Sequence, residues 1–206
     1  MPSSWIPVAL TPELPPGVAI PVAAPWGDLV LWRAASGHLA CWPDRCPHRG
    51  MRLSHGFVRG ELLSCIYHGW RFDGAGQCRK IPAHPDLEPP AAIRVTDYPC
   101  AERDGLVWIA EAAIAAPPPA AEGLEPLRSL DVAAPEAALR AATGIAGALG
   151  ETRLPGLDAP VTLAFLGMTG STRLFALTQP GTARAAASRA LEALRRRIET
   201  PAEAQA

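Results

Sequence analysis

The 206-residue chain has no surplus of basic charge, which removes one large class of partners. Its formal net charge is −1, so no basic stripe is expected, and nucleic acid is not an expected partner. Long apolar runs are missing too. Proline or a charged residue interrupts each apolar stretch well short of a bilayer's thickness, so no membrane span is expected. The first residues, MPSSWIPVALTPELPPG, hold no basic segment followed by an apolar one, so no secretory leader is expected and the cytoplasm is the expected location. Cysteine is scarce and odd in number. The five residues Cys41, Cys46, Cys65, Cys78 and Cys100 do not suit a disulfide framework, which leaves metal binding as the better use. No internal repeat is present.

What the chain does have is apolar mass and turn formers. Apolar residues make up 49%, enough for a core without covalent staples. The 23 prolines and 18 glycines indicate many turns, which suits short strands better than long helices. Strands are expected at 18–22, 29–34, 38–42, 62–66, 70–72, 77–81, 94–98 and 106–110. Asp73-Gly74-Ala75-Gly76 and Asp104-Gly105 serve as hairpin turns. The N-terminal part, residues 1–114, thus reads as a small antiparallel β-sandwich. The Pro/Ala-rich run at 115–123 is expected to be a stiff, exposed linker. Beyond it, 124–206 reads as a small α+β region: a helix over 135–149 with Pro135 at its start, strands at 161–166 and 172–178, and a final helix over 183–198. In that last helix Ala187, Leu191, Leu194 and Ile198 share a face.

Two short segments carry the chemistry. Cys46-Pro47-His48-Arg49-Gly50 and Cys65-Ile66-Tyr67-His68-Gly69-Trp70 each present one Cys and one His from a single loop, with 16 residues, Arg49 to Ser64, between His48 and Cys65. A glycine lets the backbone bend closely behind each loop. Two thiolates and two imidazoles form the donor set of a Rieske [2Fe–2S] centre, in which Cys holds one iron and His the other. The same donors also suit structural zinc. Zinc fingers, however, usually place Cys-Cys on one knuckle and His-His on the other, whereas each loop here mixes the two types.

Residues 44–82 resemble the Rieske domain of the ring-hydroxylating and related Rieske non-haem iron oxygenases. The likeness rests on the two motifs, on Leu53-Ser54 with Gly56, and on Phe72-Asp73 with Gly76. Leu31-Trp32-Arg33, Tyr98-Pro99 and Gly105-Leu106-Val107-Trp108-Ile109 extend it to roughly residues 5–111. It implies a [2Fe–2S] cluster held by Cys46, His48, Cys65 and His68. Cytochrome bc-type Rieske proteins carry a further Cys in each loop, paired as a disulfide. Met51 and Tyr67 stand at those places, and Trp70 and Phe72 stand where that group has hydroxyls that bond the cluster sulfurs. Fewer such bonds imply a potential toward the low end of the Rieske range, on the order of −150 mV.

A complete oxygenase subunit of this family also holds a mononuclear iron on two His and one carboxylate. The five histidines are His38, His48, His55, His68 and His84, so residues 112–206 cannot supply such a triad. The resemblance therefore implies an oxidoreductase component that does not activate oxygen alone. It would take electrons from a flavin- or ferredoxin-type reductase and pass them to a separate mononuclear-iron oxygenase subunit. Two alternatives stand beside it: a non-catalytic or regulatory subunit of a hetero-oligomeric ring-hydroxylating oxygenase, and a redox-sensing interaction protein. The 124–206 region reads either as a remnant of that family's helix-grip catalytic domain or as a small extension that packs on a partner. Cys41, Cys78 and Cys100 are expected to act as small apolar residues. His38, His55 and His84 are expected on the surface, and the Arg195–Arg197 run on a solvated helix face.

Overall fold

A computed structural model describes residues 4–200, and its packing separates two compact units. The first comprises residue 4 with 13–101 and 109–115; the second comprises 5–12, 102–108 and 116 onward. Residues 5–12 and 102–108, inside the expected 1–114 domain, are grouped with the second unit. The reason is local. Strand β1 (Ile6–Leu10) pairs with a later strand near the 102–108 turn, and it packs on strands of the C-terminal sheet.

The first unit is built from two antiparallel sheets. β2 (Ala19–Ala24), β3 (Gly27–Arg33) and β4 (Leu39–Pro43) form one in sequence order, with Val22 opposite Leu29 and Leu31 opposite Cys41. β5 (Phe57–Arg59), β6 (Leu62–Ser64), β7 (Arg71–Asp73) and β8 (Cys78–Lys80) form the other. Between them Trp32, Trp42, Leu53, Leu63 and Phe72 are fully buried. Trp32 and Trp42 meet edge to face at 5.1 Å, and Trp42 meets Phe72 in the same way at 6.4 Å. The β7–β8 turn forms where expected, and Asp73 organises it. One of its carboxylate oxygens accepts from the N–H groups of Ala75 and Gln77, and the other from Arg79.

β9 (Cys100–Arg103) and β10 (Leu106–Ile109) flank the Asp104-Gly105 turn, whose residues 102–108 belong to the second unit, and β1 completes their sheet in the order β1-β10-β9. β11 (Glu125–Val132), β12 (Leu149–Thr152), β13 (Val161–Met168) and β14 (Ser171–Thr178) form a four-stranded antiparallel sheet ordered β11-β14-β13-β12. Helices α1 (Glu136–Thr143) and α2 (Arg184–Glu199) complete the unit. Ala187, Ala190, Leu191 and Leu194 are the buried face of α2, which packs on β11 and α1. Their core partners include Leu130, Leu139, Val161, Phe165 and Leu174.

Several expectations need correction. The helix expected over 135–149 stops at Thr143, where the Gly144 N–H closes on the Arg140 carbonyl, and Leu149–Thr152 is a strand instead. The 94–98 segment is not a strand; it contributes single bridges, Gln77 to Arg94 and Cys41 to Tyr98. β1 and β11 escape the sequence pattern because Pro7 and Pro126 interrupt them; β11 absorbs its proline through a register shift between Pro126 and Arg128. β5 and β9 are too short to show alternation. The 115–123 run has no regular structure, but it is not a free tether. Pro118 accepts a bond from Arg103, Ala121 donates to Asp104, and Ala121 is buried. Arg195 is held within α2 by Glu192 and Glu199.

The docking of α2 is testable. Leu191→Ala, which empties part of the core, is expected to cost about 2–5 kcal/mol. Arg189→Ala on the exposed face is expected to stay within about 0.5 kcal/mol. Chemical denaturation of the two variants measures both.

Candidate metal centre

The two loops singled out in the sequence sit at the ends of strands and close in the same way. The first follows β4, the second connects β6 to β7. In the first, Cys46 N–H donates to the Met51 carbonyl and Gly50 N–H to the Cys46 carbonyl, at 2.8 and 2.9 Å. In the second, Cys65 N–H donates to Trp70 and Gly69 N–H to Cys65, at 2.9 and 3.0 Å. Each loop thus ties its Cys to the residues four and five positions on. Gly50 and Gly69 make this possible, with φ of +71° and +68°, a region that costs a side-chain-bearing residue about 1 kcal/mol or more.

This shared closure sorts the donors by burial. Cys46 and Cys65 are buried at 2% exposure each. His48 is half-buried and His68 exposed. The imidazoles lie 4.6 Å apart between ring centres, edge to face. Burial pushes the Cys46 thiol up to about 11. The backbone N–H groups of His48 and Arg49 oppose that rise, while the Cys65 sulfur adds to it. The His48 pKa lies below its ordinary value, first through burial and then through His68 and Arg49, which favours the neutral ring that metal ligation needs.

One atom supports the fit of these residues to a cluster. His48 Nδ1 is buried and has no hydrogen-bond partner. A buried polar atom left unpaired costs about 1–3 kcal/mol, and a metal would satisfy it. The four donors, two thiols inside and two imidazoles outside, match a two-iron group taking two protein ligands per iron. Among the described residues, no three His, Cys, Asp or Glu side chains form a group suited to a single ion.

Two supporting residues emerge that the sequence pattern did not single out for these roles. Trp70 stacks flat on His48, at 4.3 Å and 5° between planes, so a side chain of the second loop holds the imidazole of the first. Asp44, two residues before Cys46, is buried and accepts from both the backbone N–H and the hydroxyl of Ser54, each at 2.7 Å. Arg52 lies 3.5 Å from the same carboxylate and pairs with Asp28 at 2.6 Å. The sequence signal for this clamp was the Leu53-Ser54 pair, whose leucine is buried and whose serine caps Asp44.

The other residues weighed in the sequence lie outside the centre. Cys41 and Cys78 are buried, and Cys100 is half-buried with its thiol on the Leu39 carbonyl. His38, His55 and His84 are exposed.

Asp44→Ala strands the Ser54 donors in a buried place and is expected to cost about 1–3 kcal/mol. Asp28→Ala removes only the exposed partner of Arg52 and is expected to cost about 1 kcal/mol or less. Thermal unfolding distinguishes them.

Residues 4–99 match the family described as the Rieske [2Fe–2S] domain. The oxidoreductase NdmD of Pseudomonas putida is 40% identical over 107 residues, 52% of this chain and 18% of that protein. The 4beta-methylsterol monooxygenase of Methylococcus capsulatus is 46% identical over 89 residues, 41% and 24% of the two. The 3-chlorobenzoate-3,4-dioxygenase oxygenase subunit of Comamonas testosteroni is 38% identical over 107 residues, 51% and 25%. This chain spans about a fifth to a quarter of the length of those relatives. Among solved structures, NdmA of Pseudomonas putida CBB5 aligns with a TM-score of 0.72 at 20% identity, over 97% of this chain and 81% of that one. Dicamba monooxygenase aligns at 0.66 and 22%, over 86% and 77%. At such identities the likeness is one of fold, and with NdmA it runs through the second unit. Residues 4–99 are a Rieske [2Fe–2S] domain of the kind carried by Rieske oxygenases, and they bear a Rieske-type cluster.

Proposed function

We propose that Cys46 and Cys65 hold the inner iron and His48 and His68 the outer one. In this reading the chain passes single electrons from a flavin- or ferredoxin-type reductase to an oxygenase centre held outside residues 112–206. The observation that carries it is the orphaned, buried Nδ1 of His48 beside His68, above two buried thiols. When bound, the cluster supplies a one-electron couple.

The chain's own residues account for the rest. Burial of Cys46 and Cys65 keeps water from the sulfur side. The exposed edge of His68 gives electrons a short route to the surface. Trp70 fixes the plane of His48, so the outer donors change position little between redox states. Residues 112–206 contain no histidine, so a site of two His and one carboxylate belongs to another segment or chain. The second unit, whose fold likeness to NdmA carries no such ligands, then acts as a remnant of a catalytic domain or as a platform for the partner that bears the iron.

Iron and sulfide assays are expected to give two of each per chain. His48→Ala and His68→Ala are each expected to abolish the Rieske EPR signal, and its persistence in either variant would overturn the ligand assignment. An EPR-monitored titration is expected to place the midpoint on the order of −150 mV; a clearly positive midpoint would remove the case for a reductase-fed carrier.

A further inference from the structure

The charge of the chain is unevenly spread, and the excess lies around the cluster loops. Residues 45–80 carry seven cationic side chains, Arg45, Arg49, Arg52, Arg59, Arg71, Arg79 and Lys80, against two acidic ones, Glu61 and Asp73. The whole chain has a net charge of −1. Arg52 and Arg79 are used internally, on Asp28 with Asp44 and on Asp73. Arg45 and Arg49 are exposed and make no ion pair among the described residues. Together with exposed Arg94 they line one groove of about 330 Å³ with His48. Arg94 donates to the Ala75 carbonyl and interacts with Asp97 at longer range, without an ion pair to it.

The cluster does not need this charge. Two ferric irons, two sulfides, two thiolates and two neutral imidazoles sum to no net charge, and reduction adds a single negative one. Neither does the fold, because exposed, unpaired guanidiniums repel one another and contribute nothing to the core. On the second loop Ile66 and Tyr67 are 57% and 53% exposed, and Tyr67 lies 3.8 Å between ring centres from His68, the ring that meets His48. Large exposed side chains against one imidazole, and a groove of one sign of charge at the other, form the anatomy of a small, short-lived protein interface.

We propose that this face, Ile66 and Tyr67 with the Arg45, Arg49 and Arg94 rim, docks an acidic electron-donor protein against His48 and His68. The proposal rests on the electron-transfer reading above and adds the partner's charge and its seat. Opposite charge steers the encounter and speeds it, while the apolar centre brings the redox centres close without a long-lived complex. A donor fits better than an acceptor at this seat because a Rieske centre lies above all-Cys clusters in potential, so an all-Cys ferredoxin reduces it downhill.

The test is stopped-flow reduction of the loaded protein by a reduced acidic [2Fe–2S] ferredoxin across a range of salt, with photoreduced deazaflavin as a small reductant. The unaltered protein is expected to react with the ferredoxin about tenfold or more slower in high salt than in low salt. Arg45→Gln, Arg49→Gln and Arg94→Gln together are expected to slow the low-salt reaction by a similar factor and flatten its salt dependence. Reduction by deazaflavin and the EPR signal are expected to stay unchanged. Tyr67→Ser is expected to slow the ferredoxin reaction at every salt concentration. A salt-independent reaction in the unaltered protein, or faster reduction by a basic redox protein than by the acidic one, would overturn the proposal. So would an undiminished rate in the triple variant. Loss of the EPR signal in the unaltered protein would instead sink the electron-transfer reading itself, and the docking face with it.

Discussion

Everything about the candidate metal centre depends on two loops from different sheets closing in the same way and bringing their imidazoles together edge to face. Each loop turns its own backbone inward, with the Cys N–H reaching five residues on and the Gly N–H returning to the Cys carbonyl. That closure satisfies backbone groups that would otherwise be stranded beside buried sulfur. The imidazole arises one residue later in the second loop than in the first, yet both rings arrive at the same edge.

The loops are then fastened to each other and to the frame. Trp70 lies flat on His48, so the second loop fixes the first without a covalent bridge. In place of a disulfide, the structure uses ring stacking and the Asp44 clamp on Ser54. Below them, Trp32, Trp42 and Phe72 fill the space between sheets and give the sulfur side a dry floor. The result is a gradient from buried thiols to exposed imidazole.

The second unit is organised on a different principle. Its core is mostly aliphatic, Leu, Ile, Val and Ala around Phe165, and charged side chains of its helices pair with one another or bond backbone groups, as Arg195 does with Glu192 and Arg184 with the Pro126 and Leu127 carbonyls. Arg140 illustrates the economy: it bonds Glu136, reaches the Ile145 and Gly147 carbonyls, and lies over the Phe165 ring. No metal-binding chemistry of its own is visible there among the described residues. Its likeness to solved structures is one of fold.

The candidate donors were legible because ligand chemistry demands particular residue types at short spacing, and Cys46, His48, Cys65 and His68 stand out in any reading of the chain. The hairpin at Asp73–Gly76 and the apolar face of α2 were equally plain, since turns and amphipathic helices are local. β1, β11 and the 94–98 segment were not, because their pairing depends on distant partners and proline masks the pattern. The end of α1 was also misjudged, for an alanine-rich run reads as helix until a glycine stops it. What the sequence determined by itself was the candidate donor set, the turns and the charge excess between residues 45 and 80. Only the tertiary structure decided which donors are buried, that Trp70 holds His48, that Asp44 clamps the first loop, and that Arg94 joins Arg45 and Arg49 in one groove. Those are contacts between residues far apart in the chain, and no local pattern can specify them.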